Sequence, residues 1–284
     1  MKKRTPIVDA HVHIFPPAMI SNREMLLQRD SWFGEAFGHP NARMRTAEEL
    51  IASMDRAGVD LSIVVGWPWQ DAPELRQHND YLAEACQRFP ERLRWLGIIN
   101  PGTPGAPEEI ARCVALGASG FGEINADGQG FRWSEPGSYQ ESLQAVAASG
   151  LPLMVHTSEP VGHRYPGKGF AHPGEIMIAI EGFPTIPWVL AHWGGGLPFY
   201  ELMPEVKIAC TNVAYDSAAT SFLYDQSIFQ RVIDLTGVQK ALFGSDWPVL
   251  AQGKLIARIQ ALGLDDADLE AVLGGNAIRI YGIT

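Results

Sequence analysis

The fold of this chain is decided by a short apolar run that ends in two histidines, Ile7-Val8-Asp9-Ala10-His11-Val12-His13. The run has the length and composition of a buried β-strand. Because side chains two apart on a strand point the same way, His11 and His13 face the same side of it. Two imidazoles packed against helices would be poorly satisfied, whereas two imidazoles inside a barrel can share a cation.

Three further apolar runs each lead into a residue type that binds metals. They are residues 151–155 followed by His156, residues 188–191 followed by His192, and residues 241–245 followed by Asp246. Imidazole nitrogen and carboxylate oxygen together suit a catalytic zinc or a similar divalent ion. A buried histidine taken alone is more often a hydrogen-bonded core residue. Five candidates at successive strand ends favour a metal site.

Apolar runs alternate with helical patterns along the whole chain. The predicted strands are residues 6–12, 60–66, 94–99, 119–124, 151–156, 187–192, 207–213 and 240–245. Most are apolar on both faces, which is typical of parallel strands covered by helices. Eight strand–helix units predict an α/β fold, a TIM-type (β/α)8 barrel in a single domain over residues 1–284; a doubly wound sheet normally has fewer strands. A barrel gathers the carboxyl ends of its strands at one mouth, so we expect His156, His192 and Asp246 to converge there.

Caps and glycines mark the predicted helices. Thr46 opens a capping box and Gly58 ends the helix that follows. Other helices are predicted at residues 78–89, 108–116, 138–148 and 174–181, with extra C-terminal helices at 254–262, 265–273 and 276–281. The long interval after the first strand, residues 14–45, lacks a strand signal. It is either a lid over the barrel mouth or a helical excursion packed on the outside, and we give the two equal weight.

Composition restricts the class of protein. The 284 residues carry a net charge of −10, and Lys and Arg cluster only within the first four residues, so a nucleic-acid partner is disfavoured. No apolar stretch reaches the length of a membrane span, and the basic start is not followed by a signal-peptide core. Three scattered cysteines without a Cys-x-x-Cys motif predict free thiols. We therefore expect a cytoplasmic protein with no membrane partner.

Five sequence motifs, in order, span nearly the whole chain. They are Asp9-Ala10-His11-Val12-His13, Val155-His156-Thr157, Ala191-His192-Trp193-Gly194-Gly195, Phe243-Gly244-Ser245-Asp246-Trp247-Pro248 and residues 275–282. With them the chain resembles the amidohydrolase superfamily, and within it the amidohydrolase-related branch that includes the aminocarboxymuconate-semialdehyde decarboxylases. The resemblance implies that one divalent metal, with Zn²⁺ expected, is bound by His11, His13, His156 and Asp246. It also implies that His192 lies near the metal as an acid, base or electrophile.

The fourth predicted strand departs from one pattern of this superfamily. Hydrolytic relatives with two metals often bridge them with a carboxylated lysine there, whereas this strand carries Glu123 and no lysine. A single metal is therefore favoured, although a glutamate at this place can also bridge two ions. Glu123 is left open as a structural residue, a second ligand or a substrate contact.

These residues lead us to predict a metal-dependent hydrolase. A metal-activated water would cleave an amide, ester or lactone bond of a small, carboxylate-bearing molecule. Asp246 would move the proton, and His192 would stabilise the oxyanion. The first alternative is a zinc-dependent non-oxidative decarboxylase of an aromatic or unsaturated carboxylic acid, which needs the same ligands. The second is a catalytically inactive ligand-binding barrel, and the complete ligand set argues against it.

Substrate contacts are predicted in the loop after the fifth strand, residues 158–169. It carries His163, Arg164 and Tyr165, and Arg164 is either a carboxylate clamp or a solvated surface charge. Trp67 and Trp247 could form an aromatic wall, although core packing explains either of them. The expected partner is a small-molecule substrate. A homodimer is compatible with the family, but no interface can be read from the sequence.

Overall fold

Eight parallel strands form one sheet whose spatial order is the order of the chain. The structure is a computed structural model that describes residues 4–283. The strands are β1 (Val8–His13), β2 (Leu61–Val65), β3 (Leu93–Gly97), β4 (Gly120–Ile124), β5 (Leu153–Val155), β6 (Trp188–Leu190), β7 (Val213–Asp216) and β8 (Ala241–Leu242). All are buried almost throughout, which matches their apolar sequences.

Backbone hydrogen bonds close the sheet between its first and last strands. The Ala10 amide donates to the Phe243 carbonyl at 2.9 Å, and the His13 amide donates to the Trp247 carbonyl at 2.7 Å. In the other direction, the Asp246 amide donates to the His11 carbonyl at 2.9 Å. The predicted (β/α)8 barrel is confirmed.

The hydrophobic core has two parts, one outside and one inside the barrel. Between the strands and the helices lies the larger part, which includes Trp95 and Trp188. The smaller part takes other residues from most of the strands, such as Ile63, Met154 and Val189, and includes Tyr281, which directly follows the last helix. The interior is therefore a packed core, as in other barrels of this kind, and it supports the polar strand ends.

Helices lie between successive strands and after the last one. They are α1 (Pro17–Ser21), α2 (Arg23–Arg29), α3 (Ser31–Phe37), α4 (Ala47–Ala57), α5 (Ala72–Arg88), α6 (Ala106–Ala115), α7 (Ala126–Gln129), α8 (Gln140–Ser149), α9 (Pro173–Gly182), α10 (Pro204–Ala209), α11 (Thr220–Leu223), α12 (Ile228–Thr236), α13 (Gln252–Gln260), α14 (Asp266–Glu270) and α15 (Asn276–Ile280). The capping box of Thr46 and Glu49 is present, and Gly58 ends α4 in the left-handed conformation. The predicted extra C-terminal helices correspond to α13, α14 and α15, while α5 begins six residues before its predicted start.

The predicted seventh strand, residues 207–213, was wrong. Its first half is helix α10, and β7 begins only at Val213. Pro204 occupies the first position of α10 and Glu205 its first turn, which are favourable positions for both residue types. The apolar pair Ile208 and Cys210 resembles a strand but lies in and directly after this helix. The correction places Asp216 at the end of β7.

The long interval after β1 is helical and also covers the barrel mouth. It folds into α1, α2 and α3, and Phe33 of α3 is buried against Trp67 and Trp69 from the loop after β2. Trp32, Phe37 and residues 41–43 line the cavity at the mouth. The segment is therefore helical, as one prediction had it, and lies over the barrel mouth, as the other had it. Within residues 4–283, no helix is both long and apolar enough to cross a membrane.

Candidate metal centre and substrate pocket

Six potential metal ligands from five strands meet at the carboxyl end of the barrel. They form two groups of three, and within each group the donor atoms lie within 4.8 Å of one another. One group is His11, His13 and Asp246, and the other is Glu123, His156 and His192. The structure therefore brings together the four histidines and Asp246 that the strand-end pattern singled out, and it adds Glu123 as a sixth member of the cluster.

The first group joins the two ends of the barrel sheet. The Nε2 atoms of His11 and His13 are 3.2 Å apart. Oδ1 of Asp246 lies 3.4 Å from Nε2 of His13 and 3.9 Å from Nε2 of His11. Since His11 and His13 end β1 and Asp246 follows β8, the group lies over the closing seam.

Hydrogen bonding from behind fixes which nitrogen of His11 faces the group. Nδ1 of His11 lies 2.8 Å from Oδ2 of Asp216, so Nδ1 carries a proton that it donates to this carboxylate. In a neutral imidazole, Nε2 then presents a lone pair toward Nε2 of His13. Nδ1 of His13 is buried and has no hydrogen-bond partner among the described residues. Converging donor atoms of this kind fit a divalent cation between them.

In the second group, Glu123 is the central residue. Its Oε1 lies 2.9 Å from Nδ1 of His156 and 3.3 Å from Nε2 of His192. Its Oε2 lies 3.5 Å from Nε2 of both His11 and His13. Glu123 thus bridges the two groups, and the closest contacts of His156 in the cluster are with Glu123 and His192.

Charges in the cluster shift one another's pKa values. Burial alone would raise the pKa of Glu123, but the neighbouring His11 and His156 hold it well below its usual range. Burial alone would also raise the pKa of Asp246. The hydrogen bond from His13 and the charge of His11 instead lower this pKa to about 2. Burial lowers the pKa of His192, whereas Glu123 raises it overall to about 9. The carboxylates are therefore ionised and require positive charge beside them, which protonated imidazoles or a divalent cation supply.

His192 opens a left-handed turn that continues through four more residues. The φ angles of residues 192–196 lie between +57° and +93°. A Cβ at Gly194 would lie 2.8 Å from the Tyr215 ring, and one at Gly195 would overlap the Ser158 carbonyl oxygen, so both positions require glycine. The turn directs Nδ1 of His192 to the Ala218 carbonyl at 3.2 Å.

Behind β1, Asp9 ties this strand to the segment that carries Asp246. Its carboxylate accepts hydrogen bonds from the Ser245 amide at 2.9 Å, the Ser245 hydroxyl at 2.6 Å and the Gln252 side chain at 2.8 Å. Burial raises the pKa of Asp9 to about 6 even though these hydrogen bonds lower it. Asp9 is therefore a structural residue and does not face the ligand groups.

A cavity of about 950 Å³ opens above the two ligand groups. Of the predicted substrate contacts, Glu123, His163, Tyr165 and Trp67 line it. Arg164 is exposed to solvent and does not line this cavity. Trp247 is buried and lines an adjoining cavity of about 390 Å³. The structure brings most of the predicted contacts together and leaves these two outside.

Sequence reasoning missed three residues around the site. Asp216 was hidden by the misplaced seventh strand, although Val213-Ala214-Tyr215-Asp216 is a short run that ends in a polar residue, as the other strands do. Arg43 lines the cavity from the segment between α3 and α4, and Lys254 lines it from the first turn of α13. The sequence does not reveal that these two segments face the barrel mouth.

Comparison with known proteins agrees with this architecture. The sequence profile described as Amidohydrolase matches residues 8–283. The chain belongs to the amidohydrolase family. This finding confirms the resemblance on which the ligand predictions depended.

Relatives of this amidohydrolase include several decarboxylases. The gamma-resorcylate decarboxylase of Rhizobium radiobacter is 24% identical over 247 residues, covering 72% of this chain and 75% of the relative. The crystal structure of 5-carboxyvanillate decarboxylase from Sphingomonas paucimobilis superposes with a TM-score of 0.82 at 19% identity, covering 99% of this chain and 100% of that one. The enzyme of the same name from Novosphingobium aromaticivorans, solved with manganese and 3-methoxy-4-hydroxy-5-nitrobenzoic acid, has a TM-score of 0.82 at 17% identity, covering 98% and 97%.

Proposed function

We propose that this amidohydrolase is a metal-dependent, non-oxidative decarboxylase of a small aromatic carboxylic acid. The observation that carries the proposal is a cluster of metal-ligand side chains at the floor of a cavity lined by Trp32, Phe37, Trp67 and Phe222. Aromatic walls suit a flat ring, and a cation at the floor suits its carboxylate. The names of the relatives favour decarboxylation over the hydrolysis that the sequence analysis preferred.

The residues that would hold the metal are His11, His13 and Asp246, with Glu123 and His156 facing them. Imidazole and carboxylate ligands suit zinc and are also compatible with manganese, which several structural neighbours contain. When bound, a divalent ion supplies Lewis-acid polarisation and neutralises the charge of the substrate carboxylate. The ligand types favour zinc and the structural neighbours favour manganese, so both ions are candidates for the bound metal.

His192 is the residue to which we assign proton delivery. In the reaction, the bond between the ring carbon and the carboxyl carbon breaks, carbon dioxide leaves, and the electron pair stays on the ring carbon. A proton from the protein then takes up this pair, and solvent restores it to the protein. Nε2 of His192 faces the ligand groups, and Glu123 at 3.3 Å stabilises the imidazolium that gives the proton. We retain for Asp246 the role predicted from the sequence, which is proton transfer beside the metal.

The test is carbon dioxide release from a panel of hydroxylated benzoic acids by protein reloaded with Mn²⁺ or Zn²⁺. In D₂O, we expect one deuterium in the product at the carbon that lost its carboxylate. His192→Gln should lower turnover by roughly 10²–10⁴-fold, the usual contribution of an acid–base group, while metal content is retained. Arg164→Gln is the matched control and should behave as wild type. No carbon dioxide from any acid with either metal would overturn the proposal.

Hydrolysis remains a second candidate because of the bridging position of Glu123. Its two oxygens contact both ligand groups, as a carboxylate that joins two cations would. Two metal ions per chain by elemental analysis, with cleavage of an amide, ester or lactone, would favour hydrolysis. A purified and reconstituted protein without metal would favour the ligand-binding barrel instead.

A further inference from the structure

A second polar residue of the cavity directly follows strand β4. Glu123 and Asn125 both line the cavity, whereas Ile124 between them packs in the outer core. The backbone of Asn125 is still extended, and side chains two apart on an extended chain point the same way. Asn125 is only 3% exposed, so it belongs to the cavity wall beside the ligand groups and not to the outer surface.

The side-chain amide of Asn125 is oriented by helix α7. Its Oδ1 accepts the Gly128 amide at 3.1 Å, which makes Asn125 the N-cap of this helix. Because only the oxygen of an asparagine side chain can accept a hydrogen bond, Nδ2 is the terminal atom that remains. Among residues 4–283, Nδ2 has no hydrogen-bond partner, and it is not enclosed by protein. Its two protons are therefore available to a ligand in the cavity.

The neighbouring side-chain amides that hold α7 are fully used. Gln129 donates through Nε2 to the Ile99 carbonyl at 2.7 Å and accepts the backbone amide of Asn125 through Oε1 at 3.2 Å. Asn100 donates through Nδ2 to the Gln129 carbonyl at 3.1 Å and accepts the Gly102 amide through Oδ1 at 3.1 Å. A donor in so buried a place is costly unless water or a ligand supplies an acceptor. The free Nδ2 of Asn125 is therefore the atom of this network that points to a ligand.

The covering segment places an aromatic ring beside this donor. Trp32 of α3 packs on Gly128, where a Cβ would lie 2.7 Å from the indole ring. Gly128 is also the residue whose amide holds Oδ1 of Asn125, and Trp32 and Asn125 line the same cavity. A substrate ring that packs against Trp32 therefore lies near the Asn125 amide.

We propose that Asn125 determines substrate specificity by donating a hydrogen bond from Nδ2 to an oxygen substituent of the substrate ring. The substrate class is then an aromatic acid that carries a hydroxyl or alkoxyl oxygen in addition to its carboxylate. This inference rests on the proposed function, which assigns the carboxylate to the metal. The amide of Asn125 is neutral and therefore matches an uncharged acceptor.

The experiment compares ligands that differ only in this acceptor. The full-length protein loaded with Mn²⁺ is titrated by calorimetry with the ortho, meta and para isomers of hydroxybenzoate and of methylbenzoate. A methyl group is similar in size to a hydroxyl group but accepts no hydrogen bond. For at least one isomer, wild type should bind the hydroxyl compound roughly fivefold or more tightly than its methyl counterpart, the usual contribution of one hydrogen bond.

The variant Asn125→Asp separates ligand binding from the structural role of the N-cap. Aspartate caps a helix as well as asparagine does, so the urea midpoint should stay at the wild-type value. An ionised aspartate has no donor, so the preference for the hydroxyl compound should disappear. Both ligands of a pair carry the same charge, so repulsion by the new carboxylate cancels in their ratio. Elemental analysis checks that the variant carries as much metal as wild type.

Asn22→Asp is the matched control, because Asn22 is an exposed asparagine that precedes helix α2 and does not line the cavity. It should retain the wild-type ratio. The inference is overturned if wild type binds no hydroxybenzoate more tightly than its methyl counterpart, or if Asn125→Asp keeps the wild-type preference. A preference that Asn125→Asp removes, without carbon dioxide release from any acid, would overturn the decarboxylase proposal alone. Carbon dioxide release without that preference would overturn the role of Asn125 alone.

Discussion

Asp216 connects the two ligand groups from behind. One carboxylate oxygen accepts the Nδ1 proton of His11 at 2.8 Å. The other accepts the backbone amides of His192 at 3.1 Å and Ala218 at 2.9 Å. Asp216 is fully buried, so these contacts are not screened by water. It therefore orients a metal-ligand candidate and the proposed proton donor at the same time.

Replacing Asp216 should weaken metal binding without removing a ligand. We expect Asp216→Ala to lower metal affinity by roughly 10–100-fold, since carboxylates that orient a histidine ligand contribute about this much. Asp216→Asn should also lose affinity, because its single amide oxygen cannot accept both the His11 proton and the backbone amides of His192 and Ala218. Competition with a chelating dye measures both affinities. Asp234→Ala, an exposed carboxylate on α12, is the control, and equal affinity of Asp216→Ala and wild type would contradict the role.

The left-handed turn after β6 is tightly constrained by its surroundings. It places His192 over Glu123 and packs Gly195 against the backbone of Ser158, two residues beyond His156. The same left-handed backbone occurs at Gly58, where a Cβ would meet nothing within 4 Å. The two glycines thus share a conformation and differ in the space around them.

This difference predicts unequal effects of two alanine substitutions. Gly58→Ala should cost about 1–2 kcal/mol of unfolding free energy, the cost of the left-handed conformation for a residue with a Cβ. Gly195→Ala should cost more and also weaken metal binding, because Ser158 must move beside His156. Urea unfolding and a metal-affinity assay on both variants provide the check. Equal losses of stability, with metal binding intact in both, would show that the contact with Ser158 is unimportant.

Helix α5 carries a buried histidine, His78, which holds the covering segment to the barrel. Nε2 of His78 donates to the Ile14 carbonyl at 2.7 Å, and Nδ1 accepts the Trp69 indole proton at 3.0 Å. Burial lowers the pKa of His78 from its ordinary 6.5 to about 3, opposed by the hydrogen bond to Ile14. The ring is therefore neutral in the folded protein.

His78 should make the protein less stable in acid. Below pH 6.5 the unfolded chain takes up a proton at this residue, whereas the folded protein does not until about pH 3. Stability is therefore complete above pH 6.5 and falls by about 1.4 kcal/mol per pH unit below it, or about 2 kcal/mol between pH 7 and pH 5. Urea unfolding of metal-stripped wild type and His78→Gln at both pH values measures this loss. His78→Gln should be less stable than wild type at pH 7, but its unfolding free energy should fall by about 2 kcal/mol less between pH 7 and pH 5. An equal fall in both proteins would show that His78 does not cause the loss.

The barrel as a whole is closed at the place where the metal is proposed to bind. His11 and His13 lie on the first strand, and Asp246 follows the last one. A cation held by all three would add to the backbone hydrogen bonds across this seam. Folding and metal binding should therefore be coupled, since the unfolded chain does not hold the three ligands together.

Metal addition should raise the melting temperature of the stripped protein. A metal concentration a hundredfold above its dissociation constant contributes about 2.7 kcal/mol to the folded state. The rise should disappear in the double variant His11→Ala, His13→Ala and persist in His39→Ala, which removes an exposed histidine. Differential scanning calorimetry with Mn²⁺ and Zn²⁺ makes the comparison. A similar rise in the double variant would mean that the metal binds elsewhere.

The strands of the barrel were largely predictable from local composition. Buried strands such as β2 and β6 are short apolar runs, and this signal does not depend on distant residues. The exception, α10 with β7, has a local cause: an apolar pair such as Ile208 and Cys210 fits a helix or a strand equally well. Only packing decides between the two.

The site was predictable to the extent that strand ends converge in a barrel. This rule brought His156, His192 and Asp246 together with the two histidines of β1, because their order along the chain sets their order around the mouth. It did not reveal that His156 groups with Glu123, nor that Asp216 lies behind His11. Those relations depend on distances of about 3 Å between side chains from different strands, and sequence spacing carries no such information.

The residues themselves therefore dictated the barrel, the family and the candidate ligands, since each follows from apolar runs and motifs that are contiguous in the chain. Tertiary packing alone assigned the bridging position to Glu123, the supporting position to Asp216, and the cavity wall to Arg43 and Lys254 instead of Arg164. The physical reason is that loops and side chains take their positions from contacts with segments distant in the chain, whereas a buried strand is recognisable from its own few residues.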